Sequence, residues 1–368
     1  KSSDVEIFLQ GENNKVNIKK LKKYLNVQND FVIDQIIKLD NNSLINFSID
    51  DSLNIKKLTI RSHLNLDDLN IYYKSNIIKT YLENYENKVV IKKPKIFLDY
   101  SNEIINLKLD GKYSLNNKID NLFVKFKGNK NNFELYSQLD LDNCVLNLDN
   151  INYFKKNNIP SKLEILIKKS QNSLNLKKLN LTENENFFSV KNLYISNDLK
   201  VKSVDEIDVN FLNRKQVLNN FKIKKNLNNY NLTGSQVDGE ELIELLLKSN
   251  RKNRIYKIFD NLNTSVRLNL NKIYLEKNSF LKRIEGEFDV KNNKLFLAKV
   301  DATLENKKKF SYSHRTTIKN EKITNIYIEE PKPFVNNYKF IKGFEEGELR
   351  LSSIKIDNNS RSNLKITN

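Results

Sequence analysis

The chain has 368 residues, with Lys+Arg 63 against Asp+Glu 45 and a net charge of +18. Hydrophobic residues make up 39% and aromatics 10%, enough for a sizeable buried surface and too many for a disordered chain. Gly 8 and Pro 4 argue against Gly-rich phosphate cradles, fibrous repeats and Pro-rich linkers, and a single cysteine rules out an internal disulfide or a cysteine-based metal site.

Taken in order, Val16, Leu21, Tyr24 and Leu25 predict a short basic helix near the start. Period two then dominates. Leu107 and Leu109 alternate with Lys108 and Asp110; Leu122, Val124 and Phe126 with Lys125 and Lys127; Phe133, Leu135, Leu139 and Leu141 with Glu134, Asp140 and Asp142. The alternation continues through Leu163, Ile165 and Ile167, through Val190 and Ile195, and through Ile207, Val209 and Phe211. It resumes at Leu268 and Leu270, at Phe288 and Val290, at Leu295 and Leu297, and at Leu349 and Leu351. Such a pattern puts apolar side chains on one sheet face and polar ones on the other. Clusters such as Asn116-Asn117-Lys118, Gly128 to Asn132 and Lys291-Asn292-Asn293-Lys294 read as short turns, hence an antiparallel meander.

Helical signals are few. Asp238-Gly239-Glu240-Glu241 has the form of a capping box before Leu242, Ile243, Leu245, Leu246 and Leu247. A second helical stretch is expected from Ile255 to Phe259, and a third after Pro331-Lys332-Pro333, with Gly343 as its stop.

Little in the chain carries chemistry. Cys144 sits among alternating neighbours and predicts a buried, inert thiol in a strand. His63 and His314 are isolated and read as ordinary strand positions, without the company a triad or metal site needs. Glu240-Glu241 and Glu345-Glu346 read as capping or solvated carboxylates, and Lys307-Lys308-Lys309 as a solvated turn. The charge suits an anionic partner such as a membrane surface or nucleic acid. Basic residues nevertheless alternate with acidic ones and no nucleic-acid motif appears, so nucleic acid is not the expected partner. No catalytic residue, cofactor or metal site is expected.

A sheet of well over a dozen strands with one apolar face and few helices must pack as a sandwich, close as a barrel or curl into a trough. The scarcity of Gly and Pro turns favours the last: a mainly β, long curled antiparallel sheet forming an elongated hydrophobic trough, with a few short helices. An apolar floor of that extent suits lipid acyl chains, each buried methylene contributing about 0.8 kcal/mol. The expected lining is Leu107, Leu109, Leu122, Val124, Phe126, Phe133, Leu135, Leu139, Leu141, Leu268 and Leu270.

Three stretches carry a family resemblance. They are Asn231 to Asp238 with the Leu-rich segment after it, Leu268 to Leu275 with Ile284 to Phe288, and Tyr338 to Leu349 with its Gly343-x-x-x-Gly347 turn into a strand. On these the chain resembles the AsmA-like family of bacterial envelope proteins, of the YhdP/TamB type. Its Asn-, Lys- and Ile-rich composition is similar to that of small-genome alphaproteobacteria. The resemblance implies a non-enzymatic, periplasmic lipid-transfer segment that shields phospholipids between inner and outer membrane in outer-membrane biogenesis. It also implies an inner-membrane anchor outside this segment and possible envelope protein partners. The absence of Met fits a segment beginning inside a longer protein. The expected organisation is a β-rich trough segment over 1–233 with a short N-terminal helix, a helical insertion over 234–262, and a C-terminal β-trough segment over 263–368. The alternative is a structural or interaction β-protein of the envelope with a closed core and no lipid cargo.

Overall fold

The computed structural model describes residues 3–17, 32–33, 36–115, 117–171, 173–196, 198, 200–240, 263–276, 279–332, 334, 347–356 and 359–367. These residues are mainly β, in long and mostly antiparallel sheet, not closed into a barrel, as the alternation predicts. The chain divides into two compact units, 1–184 and 185–368. The expected boundary at residue 233 falls inside a continuous strand, Asn229–Asp238.

Unit 1 contains β1 (Ser3–Asn17), β2 (Val32–Ile33), β3 (Ile36–Ile49), β4 (Ile55–Leu66), β5 (Leu69–Tyr72), helix α1 (Asn76–Tyr81), β6 (Lys88–Ser101), β7 (Ile104–Leu115), β8 (Lys118–Gly128), β9 (Phe133–Asp140), β10 (Leu146–Leu148), β11 (Tyr153–Lys155), β12 (Ser161–Ser170) and β13 (Ser173–Glu183). Its sheet runs β1-β3-β4-β6-β7-β8-β9-β12-β13, every neighbour antiparallel. β5 pairs with the first part of β6 and β4 with the last part, while β2 pairs with β5. The basic helix expected around Val16 is not formed there. Val16 lies in β1 opposite Ile37, where its β-branched side chain joins the sheet ladder; Leu21, Tyr24 and Leu25 lie outside the described residues.

Unit 2 contains β14 (Asn186–Ile195), β15 (Val201–Leu212), β16 (Leu218–Asn226), β17 (Asn229–Asp238), β18 (Thr264–Glu276), β19 (Ser279–Lys291), β20 (Lys294–Thr303), β21 (Lys309–Thr316), β22 (Lys322–Ile328), β23 (Glu348–Ile356) and β24 (Asn359–Thr367). They pair in chain order, antiparallel except for β17 with β18. That parallel pair needs a long crossover. Asp238 Oδ1 accepts from the Glu240 N–H at 3.1 Å, while the Asp238 N–H donates to Asn219 Oδ1 at 2.8 Å; Glu241, the other half of the expected capping box, lies outside the described residues. Residues 241–262, with the rest of that helical expectation, lie outside the described residues, as do 335–346 with Gly343, Glu345 and Glu346.

The turns explain how the chain manages with so few glycines. Among the described residues 19 non-glycine residues have positive φ and 11 of them are Asn, including Asn117 between β7 and β8 and the Asn292-Asn293 pair between β19 and β20. Asn tolerates the left-handed region and supplies the primed hairpin turn that fits strand twist. Glycine is needed where backbones crowd. In β17, a Cβ on Gly234 would overlap the Asn220 carbonyl oxygen and stand 2.8 Å from Phe221 Cα, at the register shift of β16. Gly234→Ala is expected to destabilise unit 2 by about 2 kcal/mol. A urea midpoint equal to that of the parent protein would show that this crossing has room for a side chain.

Candidate functional site: the apolar sheet faces

Directly opposed residues in an antiparallel ladder share a face. In unit 1 one rung joins Leu98, Leu107, Phe126, Leu135, Ile167 and Leu176 across six strands. The next joins Ile96, Leu109, Val124, Ser137, Ile165 and Leu179, and a third joins Gly111, Leu122, Leu139, Leu163 and Leu181. Phe133 lies beyond the first rung, opposite Gly128, its ring centroid 5.4 Å from that of Phe126. Eight of the expected lining residues, Leu107, Leu109, Leu122, Val124, Phe126, Phe133, Leu135 and Leu139, therefore share one face, and each is partly exposed.

Burial is complete at one end of this face, where residues 73–87 and 141–160 cover it. Tyr85, Tyr113, Leu115, Leu146 and Tyr153 are buried there, and so is Leu141. Leu141 was expected on an open floor; the turn that follows β9 seals it instead, at 5% exposure. Ser75 caps α1 by accepting from the Ile78 N–H at 3.2 Å. Asn84 ties the two covering segments together, accepting from the Val145 N–H at 3.1 Å and donating to the Asn143 carbonyl at 3.2 Å. Asp120, projecting from β8, accepts from both the backbone and side-chain N–H of Asn143 at 3.1 and 3.0 Å. Burial raises its pKa above the ordinary value of an aspartate.

Cys144 is buried as expected, but in the turn after β9, not in a strand. Its Sγ lies 3.4 Å from Tyr113 Oη, and burial raises both the thiol and the phenol above their ordinary values. Such a thiol is unreactive. Beside it Lys155 is fully buried, its Nζ donating to the carbonyls of Cys144, Lys156 and Asp142 at 2.9, 3.1 and 3.2 Å. Tyr153 donates its hydroxyl to Glu183. All these groups are hydrogen-bonded, which describes a lock on the cover.

In unit 2 a single rung crosses all eleven strands: Val190, Ile207, Ile223, Leu232, Leu268, Gly286, Val300, Tyr312, Ile326, Leu351 and Leu364. Leu268 keeps partial exposure on it. Leu270 does not belong to an open floor; at 3% exposure it is packed with Leu275, Ile284, Ala302, Ile328, Phe334 and Leu349 in the buried core.

The opposite faces are wet, though not uniformly polar. In unit 1 His63 packs edge-on against Phe97 with centroids 4.6 Å apart, and Lys108 Nζ lies 5.7 Å from Phe97 and 5.4 Å from Phe123. Phe123 shows in the sequence as a break in the alternation of Leu122, Val124 and Phe126, and its ring meets that of Tyr136 edge-on with centroids 6.2 Å apart. His314 lies in β21, its Nδ1 2.9 Å from Thr324 Oγ1, with its pKa lowered by burial. Among the described residues no group of three His, Cys, Asp or Glu is placed to hold a metal, and no helix is long and apolar enough to cross a membrane. The chain matches no family model, no curated protein and no solved structure.

Proposed function

We propose that the chain shields lipid acyl chains on its apolar sheet faces, as a non-enzymatic lipid-transfer segment of the AsmA-like type in a bacterial envelope. The observation that carries this reading is the set of apolar rungs of unit 1, six strands wide and still partly exposed outside the covered end. Contact with hydrocarbon needs area and no particular side chain. A ten-carbon stretch of acyl chain laid on the rungs gains several kcal/mol at about 0.8 kcal/mol per buried methylene. In this reading the protein stands on the periplasmic side, anchored to the inner membrane through a segment outside this one, and moves phospholipids toward the outer membrane.

The test is native mass spectrometry of protein purified from a Gram-negative envelope, followed by lipid extraction. Co-purified phospholipids are expected, and a photo-crosslinking residue at Leu135 should label them while one at Glu134, on the opposite face, should not. Leu135→Asp should strip the lipid and leave the protein folded, at a stability cost well below that of a charge in the buried core, because the side chain is partly exposed in the folded protein. Lipid-free, folded protein, or equal labelling from both positions, would favour a closed structural β-protein.

A further inference from the structure

On the polar face of unit 2, strands β21 to β24 form a shallow, open groove of about 450 Å³. Its floor is one rung of neutral hydrogen-bonding side chains, Ser313, Asn325, Ser352 and Asn363. The rung beside it is Ser311, Tyr327, Arg350 and Lys365. The rung on the other side brings in Arg315 and Arg361, across Ile323 and Ile354. Successive rungs on a face stand about 7 Å apart. The arrangement is thus a strip of hydroxyls and amides with cations along both margins. Glu348 accepts from Arg350 and from Tyr327 Oη, each at 3.0 Å, which orients the guanidinium and offsets part of its charge, and Asp301 stands opposite Ser311 at the β20 side, so Lys365, Arg315 and Arg361 carry the net positive charge of the margins. Arg350 also stacks over Tyr327, its guanidinium carbon 5.0 Å from the ring centroid.

From this we infer that the groove is a binding site for an anionic glycan. The central rung matches sugar hydroxyls, which need paired donors and acceptors; the margins match carboxylates or phosphates borne on the sugar. A bare anion would leave the Ser and Asn rung unused, and a neutral glycan would leave the cations unused. The site lies on the face opposite the apolar rungs, so it stands or falls independently of the lipid reading.

Isothermal titration with a hyaluronan tetrasaccharide, which carries carboxylates on a sugar chain, tests it against tetra-N-acetylchitotetraose, a neutral relative. The charged sugar is expected to bind about tenfold more tightly, the worth of one charge-assisted contact. The double variant Arg350→Ala with Lys365→Ala should lose about tenfold, and Ser313→Ala with Ser352→Ala, which leaves the charge unchanged, about threefold. Lys95→Gln with Lys112→Gln, an equal charge change in unit 1, should lose neither. Circular dichroism of each variant separates loss of binding from loss of fold. Absence of binding, equal binding of both sugars, or equal loss in the remote-charge variant overturns the inference.

Discussion

Ile284→Asp is expected to abolish folding of unit 2. Ile284 is fully buried, opposite Leu270 in the β18–β19 ladder, and packed with Leu275, Ile328, Phe334 and Leu349. A carboxylate there has no counter-charge within the cluster, so the variant combines a lost apolar contact with an unpaired buried acid. The cost is about 5 kcal/mol or more, comparable with the whole stability of a domain. Ile284→Ala separates the two effects, since it leaves only the cavity and should cost about 3 kcal/mol. The informative contrast is Leu135→Ala on the partly exposed face of unit 1, expected at about 1 kcal/mol because less area leaves water on folding. Urea unfolding followed by tyrosine fluorescence measures all three, the chain having no tryptophan. Equal costs at Ile284 and Leu135 would mean that core and open face had been misassigned.

That contrast also marks how far the sequence can be read. Alternation at Leu107, Leu109, Leu122, Val124 and Phe126 correctly places five side chains on one face, because strand geometry leaves no other choice. It cannot say which of them another part of the chain covers. Leu141 and Leu270 continue the same alternation as Leu139 and Leu268, yet non-local packing seals one pair and leaves the other partly open. The cover itself left little local signal: α1 is only one and a half turns long, and its partners lie some sixty residues away, where Asn84 meets Asn143 and Val145. Scarce Gly also misleads about turns. Asn takes the left-handed turn positions here, so few glycines do not mean few turns. Lys155 reads as one more lysine in a lysine-rich chain; only the converging carbonyls of Asp142, Cys144 and Lys156 reveal its burial.

Lys155→Met should loosen the cover over the end of the unit 1 face. Methionine fills most of the space of the lysine stem but withdraws three N–H donors from three carbonyls, an expected loss of about 3 kcal/mol. Cys144, 1% exposed and adjacent, reports the opening directly. Its labelling by a thiol reagent at fixed pH should accelerate about a hundredfold if the cover opens locally. The pH dependence carries an independent sign. Burial lowers the Lys155 pKa below its ordinary 10.5, so between the folded value and 10.5 the unfolded chain binds more protons and stability rises with pH. Tyr113 and Tyr153 act oppositely. Burial raises their pKa values above 10, so the unfolded chain ionises first and stability falls as pH climbs past 10; Tyr85, Tyr136 and Tyr327, shifted the same way, add to that fall. Burial raises the Cys144 thiol above its ordinary 9.0 as well, so from pH 9 upward it opposes the rise from Lys155. Urea midpoints on the alkaline side should therefore carry a Lys155 rise in the parent protein, offset above pH 9 by the thiol and then overtaken by the phenols, whereas in Lys155→Met the rise should vanish and the fall remain. An unchanged rise, or unchanged labelling of Cys144, would remove Lys155 from the lock and leave the cover held by Asp120, Asn84 and apolar packing.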